Sequence, residues 1–345
     1  MLYVTTRVGQ DAFTANRALS ENRCPEGGFF VPMRLPYFDE VQIAQLAEKS
    51  FSQNMADILN LFFGTRLDGR SLELAIGRYP IKLRTLCSKI AVAECWHNPT
   101  QKLERLISGT EKALRQSDQI GRVASDWLQI ATRIGVMFGI VGQLLQSGIL
   151  TTGNKLDISV PSGDLSALMA VWYARAMGLP VAMIICSCNE NTMLWNLLHK
   201  GELRTDAIAL RTHTPDCDYA VPYGLERFVF ATLGREETKR FCETCRVGGN
   251  YCLEAKQRES LSEGIYVSVV SDKRMASTIP NLYKTTGFVA DPYTALAYSG
   301  LIDYRAATGE SRQALIMAEE SPLFSLQFLA ECMNMTPPEL KQLLD

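Results

Sequence analysis

The residues best suited to bind a small anion form one short loop, Ser162-Gly163-Asp164-Leu165-Ser166. The preceding segment, Leu156–Val160, is typical of a buried strand, and Leu165–Met177 has the length and pattern of a helix. Amide groups at a helix N-terminus point into such a loop, the helix dipole favours an anion there, and Gly163 allows close backbone approach. We interpret the loop as a candidate phosphate site. The Asp164 carboxylate opposes that interpretation, because it repels a phosphate or caps the helix itself.

A second candidate site is a group of three cysteines in the stretch FCETCRVGGNYC. Cys242 and Cys245 have the C-x-x-C spacing of zinc ligands, and Cys252 follows them closely. Because no second C-x-x-C pair or nearby histidine accompanies them, ordinary loop and core thiols are the simpler interpretation, and we do not expect zinc. The ten cysteines and the lack of an export signal favour free thiols and a cytoplasmic location.

Charge and hydropathy exclude several classes of partner. The 345 residues include 35 basic and 37 acidic ones, a formal net charge of -2, which gives no electrostatic reason to expect nucleic acid or an anionic membrane. The most apolar long stretch, Ile130–Leu150, contains Arg133 and several glycines. We therefore predict a buried helix there and not a membrane span.

The order of the elements predicts an α/β fold. The strand, loop and helix around Gly163 are followed by Gly178, a typical helix end, and by a strand at Val181–Cys186, which together form a parallel βαβ unit. We predict a three-layer, mainly parallel sheet flanked by helices, with residues 1–95 as an N-terminal turn, strand and helical region and residues 96–345 as the α/β core. Further predicted elements are strands at Ile90–Cys95 and Ala314–Met317, and helices within Phe38–Phe63, Thr100–Arg115, Thr192–Leu198, Tyr223–Leu233, Tyr293–Ala307 and near Leu344.

Several motifs in this order resemble those of the threonine synthase family. The stretch Asp157–Asn191 is similar to the family's V-P-T-G-N-F-G-N, M-G-L-P and T-N-E-N-D patterns. Weaker likenesses occur at Tyr3–Arg7 (Y-x-S-T-R), Pro25–Pro32 (P-D-G-G-L-Y-V-P), Val221–Arg227 (N-x-E-R) and Tyr283–Ala297 (Y-x-x-T-G-Y-x-x-D-P-H-T-A-V-A). The resemblance implies a fold type II pyridoxal-phosphate enzyme, which holds its cofactor on a lysine and converts phosphohomoserine to threonine.

The first departure from the family concerns that lysine. The family carries it in H-G-P-T-x-A-F-K-D, and the matching stretch His97–Arg105 places Glu104 at the lysine position. A carboxylate cannot form a Schiff base. Lys102 is the nearest amine, and on a continuous helix it would point about 200° away from Glu104. Two alternatives stay open, Lys102 as a substitute nucleophile and His97 with Glu104 as a base and acid for hydrolysis.

Three more departures affect cofactor and substrate binding. The predicted helix after Glu104 leads within a few residues into Arg122–Gly139, so the family's T-S-G-D-T-G loop and its small mobile domain are largely deleted. Asp164 and Ser166 replace an asparagine and a glycine, which makes Ser162–Ser166 a vestigial phosphate loop. Ala318 stands where the family has a hydroxyl residue near the pyridine nitrogen.

These departures predict a catalytically inactive homologue, a pseudoenzyme with a binding or regulatory role and no expected cofactor. The alternative is an active or altered lyase that binds pyridoxal phosphate non-covalently and acts on phosphohomoserine or a related phosphorylated amino acid. Loss of the small domain would uncover the Ile130–Leu150 helix, so we expect a homodimer or another protein partner. A small phosphorylated ligand is a further candidate partner.

Overall fold

The structure, a computed structural model, describes residues 1–9, 11–25, 27–77, 81–96, 102–117 and 126–344. The strands are β1 (Leu2–Thr5), β2 (Phe13–Thr14), β3 (Phe30–Pro32), β4 (Lys82–Cys87), β5 (Ile90–Glu94), β6 (Leu156–Pro161), β7 (Val181–Cys188), β8 (Glu202–Arg204), β9 (Asn250–Cys252), β10 (Ile265–Val269) and β11 (Ala314–Ala318). The helices are α1 (Ala15–Ser20), α2 (Glu40–Ala44), α3 (Phe51–Phe63), α4 (Gly69–Ile76), α5 (Glu104–Gln116), α6 (Trp127–Gln146), α7 (Ser166–Ala176), α8 (Met193–Lys200), α9 (Leu225–Val247), α10 (Ala255–Ser262), α11 (Asp272–Thr286), α12 (Pro292–Thr308), α13 (Leu326–Met333) and α14 (Pro337–Leu344). Short 3-10 helices lie at Gln45–Glu48, Pro215–Cys217 and Pro322–Ser325.

The central sheet has six strands in the order β10-β7-β6-β11-β5-β4, and all neighbours are parallel except β4 and β5. Successive residues of β7 show that both faces are covered. Ile184 belongs to a core cluster with residues of α3, α6 and α7, whereas Ile185 belongs to a cluster with residues of α11, α12 and α13. Because side chains alternate between the faces of a strand, the sheet lies between two helical layers. The predicted three-layer, mainly parallel α/β fold is confirmed.

The N-terminal region packs on this core through a buried hydrogen-bond chain. β1, β2 and β3 form a small antiparallel sheet. From β1, the Tyr3 hydroxyl donates to the carbonyl of Phe62 at 2.8 Å and accepts from the Trp127 indole at 3.1 Å. The division predicted at residue 95 falls at the end of β5, which pairs with both β4 and β11. The two predicted regions therefore share one sheet.

α6 runs through the middle of one helical layer. It has the length and composition of a membrane span, but most of it is buried inside the protein, as predicted for a core helix. Gly135 and Gly142 face α3 so closely that an added Cβ would lie 2.9 Å from Met55 and 2.5 Å from Asn54. The expectation that this helix would face a partner is wrong, because α3 and α7 already cover it. The homodimer or other protein partner itself stays a prediction.

Candidate functional site

A cavity of about 260 Å³ opens at the carboxyl ends of three neighbouring strands, β6, β11 and β5. Parallel strands end at the same edge of a sheet, and ligands in α/β proteins commonly bind there. The chain after each strand supplies part of the wall, and α6 and the loop around Asp216 complete it. The lining residues are Lys102, Glu104, Gln129, Arg133, Pro161, Ser162, Gly163, Asp164, Ala167, Asp216, Cys217, Tyr219, Tyr293, Met317, Glu319 and Glu320.

A larger cavity of about 910 Å³ lies at the other end of the sheet, beside Leu150, Val181 and Gly264. These residues precede or begin β6, β7 and β10. None of the predicted site residues lines it. We therefore take the smaller cavity, which contains Lys102, Glu104 and Gly163, as the candidate functional site and call it the cleft.

The loop Ser162–Ser166, predicted to be a vestigial phosphate loop, forms one wall of the cleft, and the Asp164 carboxylate binds groups of this same loop. Its carboxylate accepts hydrogen bonds from the backbone N–H and the hydroxyl of Ser166, both at 2.8 Å. Gly163 and Leu165 have φ angles of 48° and 72°, in the left-handed region that favours glycine. The Asp164 side chain therefore satisfies the backbone N–H of Ser166, the first residue of α7, in the way that a capping carboxylate does.

A second side chain reaches the same loop from a distant segment. The Sγ atom of Cys217 accepts a hydrogen bond from the N–H of Gly163 at 3.3 Å. Burial raises the pKa of the Cys217 thiol to about 12, although the Gly163 amide lowers it in part. The thiol is therefore neutral at physiological pH, and it occupies one backbone donor of the loop without adding charge.

Lys102 faces the cleft, contrary to expectation. It forms an ion pair with Glu320, and its ammonium group lies over the ring of Phe324 at 4.4 Å from the centroid. The expected rotation of about 200° assumed a helix that includes both Lys102 and Glu104. In the structure α5 begins at Glu104, and Lys102 precedes it in a β-bridge to Glu320. Both side chains therefore line the same cavity.

Glu319, which precedes Glu320 in the chain, is held by a residue of α6. The guanidinium of Arg133, on α6, donates two hydrogen bonds to the Glu319 carboxylate at 3.0 and 2.8 Å. Burial lowers the pKa of Arg133, but Glu319, with smaller contributions from Asp164 and Glu104, raises it above its ordinary value overall. Glu319 and Glu320 are thus each paired with a cation.

The cleft is acidic. Its lining holds five carboxylates and two cations, a formal charge of -3. Burial raises the pKa of Glu320 above its usual range, and the carboxylates of Asp216 and Glu104 add to that rise, against the pairing with Lys102. The pKa of the Tyr293 phenol is also raised, first by burial and then by Asp216 and Glu320. An additional negative charge is therefore unfavourable in this cavity.

The motif Val221–Arg227 packs directly behind the phosphate loop. The N–H of Gly224 donates to the carbonyl of Asp164 at 2.7 Å, and a Cβ at Gly224 would overlap that carbonyl. Arg7 donates two hydrogen bonds to the carboxylate of Glu226, at 2.9 and 2.6 Å. The motifs at the N-terminus and at residues 221–227 therefore meet in space and support the loop.

A buried amide network fixes the segment that carries Cys217. The side chain of Asn189 donates to Thr212 at 2.8 Å and to Asp218 at 2.7 Å. Asn191 donates to Asp218 at 3.1 Å and accepts from the N–H of Leu210 at 2.7 Å. The two asparagines of the N-E-N motif thus position the irregular wall of the cleft.

The three cysteines proposed for a metal lie outside the cleft. Cys242 and Cys245 are half-buried in the second half of α9, and Cys252 is exposed on β9. Burial raises the pKa of the first two thiols to about 12 and about 11. The described ranges contain no cluster of three metal-ligating side chains. His97, the other candidate from sequence, lies outside the described residues.

Sequence reasoning missed the second half of the cleft. Arg133 had been noted only as a charge within an apolar helix. Asp216, Cys217 and Tyr219 come from an irregular segment that carries no local motif. Tyr293 lies within the motif Tyr283–Ala297, but nothing in the spacing of that motif predicts a place in the cavity.

Comparison with known proteins supports the resemblance to the threonine synthase family that the sequence motifs predict. The family model described as threonine synthase N terminus matches residues 2–78. Threonine synthase of Corynebacterium glutamicum is 31% identical over 154 residues, which cover 42% of this chain and 32% of that protein. Threonine synthase-like 1 of Homo sapiens is 26% identical over 159 residues, which cover 45% of this chain and 21% of that protein. The matched segment thus spans about a third or less of the length of these two relatives.

Solved structures with this fold include two threonine synthases. The pyridoxal-phosphate-bound threonine synthase from Brucella melitensis aligns with a TM-score of 0.84 at 17% identity, over 100% of this chain and 94% of that chain. The threonine synthase from yeast aligns with a TM-score of 0.82 at 16% identity, over 99% of this chain and 93% of that chain. The chain is thus similar in sequence to threonine synthases and threonine synthase-like proteins over part of its length, and it has the fold of these threonine synthase structures.

Proposed function

We propose that this chain is a pseudoenzyme, a threonine synthase-like protein that has lost covalent catalysis and serves as a binding or regulatory protein. The observation that carries the proposal is the state of the amine in the cleft. Glu104 stands where the family resemblance places the cofactor lysine, and Lys102, the one lysine in the described lining, is paired with Glu320. A lysine held in an ion pair is a poor nucleophile.

The residues present do not fit pyridoxal phosphate. In the loop that would receive the phosphate, Asp164 and Cys217 already accept from Ser166 and Gly163. The cavity carries a formal charge of -3. Ala318, at the end of β11, offers no hydroxyl to a pyridine nitrogen. We therefore derive no chemical step through this cofactor.

Purified protein incubated with pyridoxal phosphate tests the proposal. We expect no absorbance band above that of the free cofactor, no adduct after borohydride reduction, and no threonine from phosphohomoserine. A reduced adduct on any lysine, found by mass spectrometry, or threonine formed at a rate that depends on protein concentration, would overturn it.

A second candidate function is the altered lyase, and two observations favour it. Lys102 faces the cleft. One buried nitrogen of Arg133, Nη1, has no hydrogen-bond partner among the residues that the structure describes, so a ligand carbonyl is a fitting acceptor for it after a small shift. Borohydride trapping with unphosphorylated pyridoxal separates the candidates. A lyase that uses Lys102 as a substitute nucleophile predicts an adduct on Lys102 that a Lys102→Arg variant lacks.

A further inference from the structure

The vestigial phosphate loop is occupied by the chain's own side chains. Both oxygens of Asp164 accept from Ser166, one from the backbone N–H and one from the hydroxyl, at 2.8 Å each. Cys217, from a separate segment, accepts from the N–H of Gly163 at 3.3 Å. Groups from two segments thus take donors that a bound phosphate would otherwise use.

The charge of the surrounding cavity also disfavours a bound phosphate. The two lining cations are already committed, Lys102 to Glu320 and Arg133 to Glu319. A phosphate entering the loop would approach the carboxylate of Asp164 without a free cation among the described lining residues to neutralise it. In a partly buried site, like charges at such range disfavour each other strongly.

We propose that Asp164 is an internal substitute for a ligand phosphate and makes the cleft reject phosphorylated molecules, pyridoxal phosphate included. The ligand class that the cleft admits is then a small molecule without phosphate, uncharged or cationic. The inference rests on the proposed function, since it concerns the same cleft. It concerns which ligands enter, however, and not whether a covalent bond forms.

The test is calorimetric titration of the full chain with inorganic phosphate. Asp164→Asn keeps an oxygen that can accept from the Ser166 N–H while it removes the charge, and Asp164→Ala also frees both Ser166 donors. We expect no saturable binding by the wild-type protein and a gain in affinity of about tenfold or more in the alanine variant, with the asparagine variant between them. The matched control is Asp216→Asn, which removes the same charge from the same cavity but leaves the loop intact.

Three results would overturn the inference. They are saturable phosphate binding by the wild-type protein, folded Asp164 variants without any gain, and an equal gain in Asp216→Asn. If the Asp164 variants do not fold, the wild-type protein still tests the inference. It should bind pyridoxal phosphate no more tightly than pyridoxal. A preference of about tenfold for the phosphorylated form contradicts the inference. Phosphate binding needs no amine, so a protein that reacts with pyridoxal but ignores phosphate would refute the proposed function alone.

Discussion

Lys102 and Glu320 join the chain that follows β5 to the chain that follows β11. They form an ion pair and a backbone bridge, and the Lys102 ammonium also lies 4.4 Å from the centroid of the Phe324 ring. The amine nearest to Glu104 therefore stabilises the fold of the cleft wall. A free nucleophile would need an unpaired amine, whereas the paired amine of Lys102 should contribute to the free energy of unfolding, which can be measured.

Replacing Lys102 with methionine should lower the free energy of unfolding at neutral pH by about 1 to 2 kcal/mol, because Glu320, 11% exposed, loses its partner. The figure is modest because Lys102 is itself 35% exposed and partly screened. Burial already raises the pKa of Glu320, and losing the cation raises it further. The deficit should therefore shrink at low pH, where Glu320 is protonated in both states, and grow as pH rises.

Urea unfolding at several pH values measures that deficit. Lys102→Arg keeps the charge and serves as the matched control, with most of the stability retained. A deficit that is equal at acidic and alkaline pH would mean that Lys102 contributes through packing and not through its charge.

Removing the buried guanidinium of Arg227 should destabilise the protein strongly. Its side chain is 1% exposed, donates to Asp126 at 2.8 and 2.6 Å, and lies 4.2 Å from the centroid of the Phe29 ring. We expect Arg227→Ala to cost about 3 kcal/mol or more, because Asp126 is left without its partner. Arg227→Lys should recover only part of the lost stability, since an ammonium cannot donate to both carboxylate oxygens of Asp126 as the guanidinium does.

An exposed ion pair supplies the control for Arg227. Arg246 and Glu243 pair on the surface of α9, with side chains 71% and 61% exposed. Arg246→Ala should change the free energy of unfolding by no more than about 0.5 kcal/mol. Chemical denaturation measures both losses. If Arg227→Ala and Arg246→Ala lose a similar amount of unfolding free energy, burial does not explain the contribution of Arg227.

Asp291 should make the protein less stable as pH rises from 3.8 towards about 7. Burial raises the pKa of this carboxyl to about 7, although hydrogen bonds from Thr294 and Tyr293 oppose the rise. In that range the folded state holds a proton that the unfolded state has released, so stability falls with increasing pH. Asp291→Asn should remove this decline, which shows as a pH-dependent difference between variant and wild type.

Asp68 provides a control of opposite sign. It caps α4 through the N–H of Ser71, and hydrogen bonds from Ser71 lower its pKa. The stabilisation by Asp68 is therefore present at pH values above the pKa that this carboxyl has in the unfolded chain, and it is lost as pH falls. If Asp68→Asn and Asp291→Asn change the stability profile in the same direction, our assignment of Asp291 is wrong.

Gly139→Ala should destabilise the contact between α3 and α6. A Cβ at this position would overlap the ring of Phe51. Overpacking of this kind costs about 1 to 3 kcal/mol, which exceeds the gain in helix propensity of about 1 kcal/mol if the ring cannot move aside. Gln146→Ala, at an exposed position of the same helix, is the control and should be nearly neutral. A stabilised Gly139→Ala variant, by denaturant unfolding, would show that Phe51 yields easily.

The βαβ unit around the phosphate loop could be predicted closely from sequence. The predicted segments Leu156–Val160, Leu165–Met177 and Val181–Cys186 correspond to β6, α7 and β7 with small differences at their ends. Apolar runs bounded by Gly163 and Gly178 are local signals, and here local preference and tertiary packing agree.

Other elements lacked such signals. α11 is largely polar and contains Pro280, so its sequence gives no clear helical pattern. The orientation of Lys102 was missed because the start of α5 was placed too early. Asp216 and Cys217 reach the cleft through the long-range network of Asn189, which no sequence window reveals.

The position of β11 affects how the protein can be made. This strand is the last of the described strands in chain order, yet it lies between β5 and β6 and pairs with both. During synthesis the ribosome releases the other described strands first, and β5 and β6 must wait with one unpaired edge each until β11 emerges. Nascent chains that stall before Ala314 therefore carry open strand edges, which makes them candidates for chaperone binding or aggregation.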